Sequence, residues 1–513
     1  MALRGSRPGS PSGIGHHPGP TLVFPGMRRP DCEWDSRRIG AQPFSGAERV
    51  VVVLPRLDPT LGGHLTLFEL ERAGFEAELG GSVEFSTVDP GSGPRWLLEL
   101  DPAYDAAPTT SWVPGGETIV SRARDVDGLF EALNLWRTVR REGGTVAAAD
   151  CGTLEDVIAR TVVEVADTYP AFALRGLDWE AICARHADEV RRAADPLAAI
   201  QTWLAELEDS HTWVWPGHGN LPYAVRVDAD AVEFTHVPPE SAAARAGVRP
   251  GWRLSAIDDS VPDGRGWLAR TAAPPHSRSA LAGRRLLAGP PGVARHLTAG
   301  DRAGRSVTWD EQPAAGPPGP VVSWRQLGSG KGYLRIAAWT GSVEGAVDVA
   351  LHELRGCETL ILDLRRNPGG SLVTASRTRA RFLRTRTTLG SIRYSVGGGL
   401  LTAPSELVAE PAAAAWPGRL TVLTDALTFS SSEDFLLGLQ GLEHIRVVGE
   451  PSGGGSGRPR NLRLLPGWLL TVSTALTYDR SGRCIEGAGI PVDVHVPAPV
   501  TEADVVLEAA ERL

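Results

Sequence analysis

Apolar positions recur along this chain in two rhythms, alternate or continuous for strands and three-to-four-spaced for helices. A first stretch, residues 1–47, has neither; it is rich in Gly, Pro, Arg and Ser and predicts a disordered tail. A β-branched run begins at Val50, and WLLEL at 96–100 predicts a strand. DVDGLFEALNLWRTVRR, 125–141, predicts one helix with Leu129, Ala132, Leu133 and Trp136 on a stripe, so 48–150 forms an accessory α/β domain of unassigned role. In 151–218 the pattern turns helical. Thr153 can cap a helix carrying Leu154, Val157, Ile158, Val162 and Val165, and Asp178 and Asp195-Pro196 mark two further starts. The third helix should end near Leu207 and deliver the chain into EDSHTW, 208–213.

From about 219 to 315 the order changes. VPPESAAARAGVRPGWRLSAIDDSVP, 237–262, places a short Ala-rich helix before Gly247, a Pro-Gly turn, and a strand at LSAID. That order resembles a PDZ domain of the kind found in processing proteases, which implies a β-domain that adds a peptide to a sheet edge. From 316 to 513 strands and helices alternate: GYLRIAAW (332–339), helix EGAVDVALHELRG (344–356), TLILDL (359–364), LTVLTD (420–425), helix SSEDFLLGLQ (431–440) and HIRVVGE (444–450). Alternation of this kind predicts parallel strands joined by crossover helices.

The length of 513 residues calls for several domains. A net charge of -9 offers nothing to a phosphate backbone, so nucleic acid is not an expected partner. The five cysteines, Cys32, Cys151, Cys183, Cys357 and Cys484, are scattered without CxxC spacing, which argues against a disulfide framework or common zinc site. No apolar run suits a membrane helix and no secretory leader is visible, so the expectation is a cytoplasmic protein without metal or cofactor.

Three segments of the last region carry chemistry. DLRRNPGG, 363–370, ends a buried strand in glycines that let backbone N–H groups approach a ligand. TDALTFSSSEDF, 424–435, puts Ser430 at a helix start, where free N–H groups favour a developing anion. CIEGAGIPVDVHVP, 484–497, sets Glu486 before a Gly-rich bend. Each alone reads as a turn, a cap and a solvated acid. Together, in order and preceded by the D-S-H-T of 209–212, they resemble the C-terminal-processing and tricorn-type serine peptidases. That family carries D-x-R-x-N-x-G-G, [ST]-x-S-x-x-E and E-G-x-G-[IV]-x-P-D signatures.

The resemblance implies a crotonase-like α/β core, a helical segment before it, and peptide-bond hydrolysis through an acyl-enzyme. The Ser-Lys branch places its base 25 residues after the nucleophile. Here that position is Gly455, and the one lysine of the chain, Lys331, stands in a Gly-Ser-Gly loop. The tricorn-type branch draws a Ser-His pair from the upstream helical region. It thus implies Ser430 as nucleophile, His211 as base, and Ser210 as relay to Glu486. A histidine base has a pKa near 6.5, so activity should fall below about that pH. The oxyanion hole would use the N–H of Ser431 and of Gly369 or Gly370. His444 and His495 lie in apolar strand patterns and are weaker candidates for the base; His16, His17 and His64 have no argument for them.

The expected substrate is a peptide or unfolded protein, possibly held by its C-terminus, with a homo-oligomer possible. Rival readings are a silent relative that binds hydrophobic molecules or peptides, a hydrolase of esters or one metabolite, and an adaptor working through its PDZ-like module.

Overall fold

A computed structural model of the chain describes residues 42–45, 47–55, 62–217, 219–497 and 503–513. The tail expected over 1–47, with Cys32, His16 and His17, lies almost wholly outside the described residues. Among the described residues no helix is long and apolar enough to cross a membrane. The chain is a mixed α/β protein of several packed units.

The first unit is a six-stranded sheet in the order Val83–Ser86, Val50–Val53, Arg95–Leu100, Thr118–Ala123, Thr109–Trp112, Gly144–Ala147. The first four strands are parallel and the last two antiparallel. The single helix expected over 125–141 is two, Val126–Asn134 and Trp136–Glu142. The break falls at Leu135, whose N–H turns to the Ala132 carbonyl at 3.0 Å, three residues back instead of four. A buried ion network then fixes this unit to the next. Arg140 and Arg141 reach Asp167 at 3.0 and 2.6 Å, Arg141 also pairs with Glu164, and Arg137 donates to the Ser395 carbonyl at 2.5 Å.

The helices Leu154–Thr168, Trp179–Arg192 and Pro196–Ala205 start at Thr153, Asp178 and Asp195, each capped by that residue's side chain. Their apolar faces close on a three-stranded sheet, Arg460–Arg463, Leu469–Val472 and Trp213–Trp215. That sheet is made from both ends of the chain, so the segment after the third helix is tied to residues more than two hundred positions later.

A five-stranded antiparallel sheet follows, Ser306–Glu311, Arg295–Gly300, Arg253–Ile257, Val232–His236, Ala224–Val227. The Ala-rich helix is Ala242–Arg245, capped by Ser241. A second helix, Pro275–Leu286, lies against Ala224–Val227 so closely that a methyl group at Gly283 would come 2.2 Å from the Val225 carbonyl oxygen.

The last region holds the largest core. Gly332–Ile336, Thr359–Asp363, Arg419–Thr424, Ile445–Gly449 and Val494–His495 are parallel in that order, with Val322–Gln326 antiparallel at the edge. The helix expected over 431–440 covers only Ser431–Leu436. Leu437 is extended, and a Cβ added to Gly438, at φ 80°, would stand 2.8 Å from Leu389 Cα, so any side chain there would collide. Two neighbouring strands, Thr359–Asp363 and Arg419–Thr424, bring the Gly369-Gly370 turn and Ser430 to the same end of the sheet.

Candidate active site

Arg419–Thr424 is buried at five of its six positions and ends at Asp425. The Asp425 carboxylate accepts from the N–H groups of Arg366 and Leu427 at 2.9 and 3.0 Å and so binds the two turns together. The N–H of Phe429 reaches the Asn367 carbonyl at 3.0 Å. The next residue, Ser430, is held at φ 58°, ψ −122°. A non-glycine residue in that region costs on the order of 1–3 kcal/mol and persists only where its surroundings over-determine it.

The over-determination comes from Glu433, fully buried one turn into the helix. Its carboxylate accepts from the N–H of Ser430 at 3.0 Å, of Gly455 at 2.8 Å, of Gly454 at 2.8 Å and from the Ser452 hydroxyl at 2.7 Å. Burial pushes its pKa up to about 7, and these hydrogen bonds oppose the rise. The serine motif marks Glu433, but not that it ties the nucleophile turn to the 452–455 loop.

His211 arrives from the loop between Pro196–Ala205 and Trp213–Trp215. Its N–H donates to Asp209 at 2.8 Å, and the same carboxylate accepts from the Thr212 hydroxyl at 3.0 Å. Its Nε2 lies 3.1 Å from Ser430 Oγ. The imidazole packs on Phe429, ring centres 4.4 Å apart and planes tilted by 31°. Burial lowers its pKa to about 4, with Asp209 opposing and Arg458 reinforcing the shift. The reference value of about 6.5 expected from sequence is therefore replaced by one set by desolvation. A methyl group at Gly455 would stand 1.9 Å from Phe429 Cε2 and 3.0 Å from His211 Nδ1, so the two rings fill the space a side chain at 455 would enter.

The other sequence candidates fall around this pair. Gly369 has φ 101° and Gly370 φ 130°. A Cβ on the first would meet Ser430 Cβ at 2.7 Å, and one on the second the Trp339 carbonyl oxygen at 2.4 Å. The Gly369 N–H is engaged by the Asn367 side chain at 3.0 Å, whereas those of Gly370 and Ser431 have no acceptor among the described residues. Ser210 is buried, its hydroxyl unpartnered, as is His211 Nδ1. Glu486 is buried as well but bonds neither of them. It accepts from the Ser456 N–H at 2.9 Å and faces Arg175 at 3.5 Å. Burial holds its carboxyl well above the usual range, with Asp209 adding to the rise. His444 instead donates to the Phe382 carbonyl at 3.0 Å, and His495 is exposed on the edge strand. Asp209, Phe429, Asn367 and Gly455 have structural roles here that no sequence motif assigned.

Cavities open on two sides of Ser430. One, of 660 Å³, runs beneath the five-stranded module and is lined by His211, Trp213, Trp267 and Arg285 among others. The other, of 410 Å³, is walled by Phe68, Phe75, Phe130 and Leu133 of the first unit and by Gly370 and Ser431.

The chain is a serine-type peptidase. Residues 330–496 match the model of peptidase family S41, and the chain carries that family's domain. The matched span holds Ser430, both glycines and Glu486 but ends short of His211 on the N-terminal side. A solved structure of mature CPAF complexed with lactacystin is 15% identical over 69% of this chain and 98% of its own, with a TM-score of 0.52, a likeness of fold. The photosystem II D1 C-terminal processing protease is 20% identical over 69% of this chain and 96% of its own, TM-score 0.47. Tricorn protease is 15% identical over 70% of this chain and 36% of its own, TM-score 0.35. No curated protein matches the sequence.

Proposed function

We propose that Ser430 is the nucleophile and His211 its general base in a peptidase that hydrolyses peptide bonds of a peptide or unfolded protein. His211 Nε2 takes the hydroxyl proton as Oγ bonds to the scissile carbonyl carbon, and returns it to the leaving amine. Water, deprotonated by the same nitrogen, then cleaves the ester and frees Ser430. The oxyanion forms beside the N–H groups of Gly370 and Ser431; each such donor contributes about 3–4 kcal/mol to the transition state. Gly369 supplies space, since its own N–H is bound to Asn367. Ser210 and Glu486 complete the constellation behind the imidazole. Glu486 bonds neither Ser210 nor the imidazole; it holds the Ser456 N–H at 2.9 Å, one residue from Gly455, where a Cβ would stand 3.0 Å from His211 Nδ1. The strand core is read as crotonase-like and the five-stranded module as PDZ-like.

The observation that carries this reading is the 3.1 Å approach of Nε2 to Oγ at a serine of positive φ. Ser430→Ala and His211→Ala should each lower kcat by about 10⁴-fold or more, and the pair scarcely further, because the two act as a unit. A fluorophosphonate should label the wild type and not Ser430→Ala. Unchanged turnover in either single variant defeats the assignment.

The pH profile follows from burial. A base whose charged form is disfavoured stays neutral, and therefore competent, at lower pH. With His211 at about 4, kcat/KM should hold from neutrality to about pH 5 and fall through pH 4. A half-point near 6.5 would mean that the imidazole is solvated in the working enzyme.

A further inference from the structure

Of the arginines in the 660 Å³ cavity, Arg284 and Arg285 have no counter-charge among the described residues. Arg285, near the end of the helix Pro275–Leu286, is 7% exposed. Its guanidinium stacks on Trp213 at 3.6 Å from the ring centre, and its Nε and Nη1 have no hydrogen-bond partner. Arg284 beside it makes no ion pair among the described residues. Arg270 stacks on Trp267 at 3.5 Å, with Nε again buried and unpartnered. The fourth, Arg295, is satisfied by Asp258 at 2.5 Å and the Ala288 carbonyl at 2.6 Å. The cavity's two carboxylates cap helices, Asp195 accepting from the Ala198 N–H at 3.0 Å and Asp263 from that of Gly266 at 2.9 Å, and their charge reaches Arg270 but neither Arg284 nor Arg285.

Adjacent cations, Arg285 buried and Arg284 half-buried, with no carboxylate in reach are costly, and folding alone gives no reason to keep them. Burial lowers the Arg285 pKa to about 9, with Arg284 adding to the drop, so nothing on the protein compensates the charge. Their position suggests what does. Trp213, the ring under Arg285, is two residues beyond His211, and the cavity opens directly onto Ser430. The helix is also clamped to the nucleophile's own support. His276 Nε2 donates to the Ser452 carbonyl at 2.8 Å, Ser277 Oγ to that of Gly453 at 2.9 Å, and Arg278 pairs with Glu208 at 2.7 Å.

We propose that this cavity is a carboxylate subsite, in which Arg285, flanked by Arg284 and Arg270, holds a carboxylate of the peptide being cleaved at Ser430. The proposal deepens the peptidase reading and rests on it. The carboxylate can come from the free chain end, a few residues beyond the scissile bond, or from an Asp or Glu side chain in the same place. A guanidinium serves either, because its planar fork fits both oxygens.

The test compares kcat/KM for four matched peptides: free C-terminal acid, its C-terminal amide, and amidated peptides with Glu or Gln near the scissile bond. One charge-assisted hydrogen bond predicts a preference of about tenfold or more for the carboxylate form. Acid over amide identifies the chain end, and Glu over Gln identifies a side chain. Arg285→Gln should abolish whichever preference is found. Because Arg285 packs on Trp213 next to the base, Arg284→Gln, at a half-buried position, is the second variant and should reduce the preference. If no peptide is cleaved, the hydrolytic reading has failed, and binding of the same peptides to Ser430→Ala, followed by tryptophan fluorescence, decides the subsite alone. Equal values for all four peptides, or a preference that survives both substitutions, overturns the proposal.

Discussion

The unit formed by residues 50–147 and the five-stranded module both reach Ser430, and they do so with opposite treatment of charge. In the first unit every deeply buried arginine has an acid. Arg140 and Arg141 share Asp167, and Arg458 joins Glu71 of that unit at 3.2 Å to Asp434 of the nucleophile helix at 3.0 Å. Apart from Glu71, the surface it turns to the 410 Å³ cavity is aromatic and aliphatic. In the module the tie to the core uses mostly backbone carbonyls, and Arg284 and Arg285, facing the cavity, are left without acids among the described residues. Paired buried charges hold an architecture together, whereas unpaired ones are explained only by something that arrives. The first unit therefore acts as a fixed wall and the module as a ligand-facing roof.

The strongest way to break this contrast is to remove an acid from the wall. Asp167 is fully buried and serves two guanidinium groups. In Asp167→Ala each loses a charge-assisted hydrogen bond inside the protein, worth about 1.5–3 kcal/mol, while Arg140 keeps Glu78 and Arg141 keeps Glu164. Denaturant unfolding should show a loss of that size. Arg285→Gln, by contrast, removes a charge that already lacks a partner and should cost the free protein far less. A stability loss equal to that of Asp167→Ala would mean that Arg285 is structural and the contrast false.

Much of this site was legible in the sequence because its parts are local. A glycine pair after a buried strand and a serine before a helix start each declare a geometry within a few residues. The three helix caps at Thr153, Asp178 and Asp195 were legible for the same reason. The rest depends on contacts between distant segments. Nothing near Gly455 says that the rings of Phe429 and His211 occupy its side-chain space, and nothing near Asp209 says which donors it will hold. The helix Pro275–Leu286 has no apolar stripe to reveal it. Its buried residues are Ser277, Ala282, Gly283, Arg285 and Leu286, and the small ones among them let it approach a strand. The helix after Ser430 was overextended because FLLGLQ looks continuous, while its end is dictated by Leu389, far away in sequence. The role of the first unit was invisible for the same reason, since its aromatic residues meet Ser430 only after folding.

The smaller test concerns that aromatic wall. Leu133, half-buried on the helix Val126–Asn134, lines the 410 Å³ cavity together with Gly370 and Ser431, so a substrate side chain beside the acyl carbon would lie against it. Leu133→Ala deletes three carbons from the wall without touching a hydrogen bond or an ion pair. Losing apolar contact on this scale typically changes discrimination by about tenfold. The ratio of kcat/KM for a peptide with Phe at the cleaved bond to one with Ala there should fall by that factor. The value for the Ala peptide itself should move little, because a small side chain does not reach the wall. If both peptides lose activity equally, the wall positions the catalytic turn without reading the substrate. If neither changes, the substrate side chain enters the basic cavity instead, and the division of labour between the two regions collapses into one shared pocket.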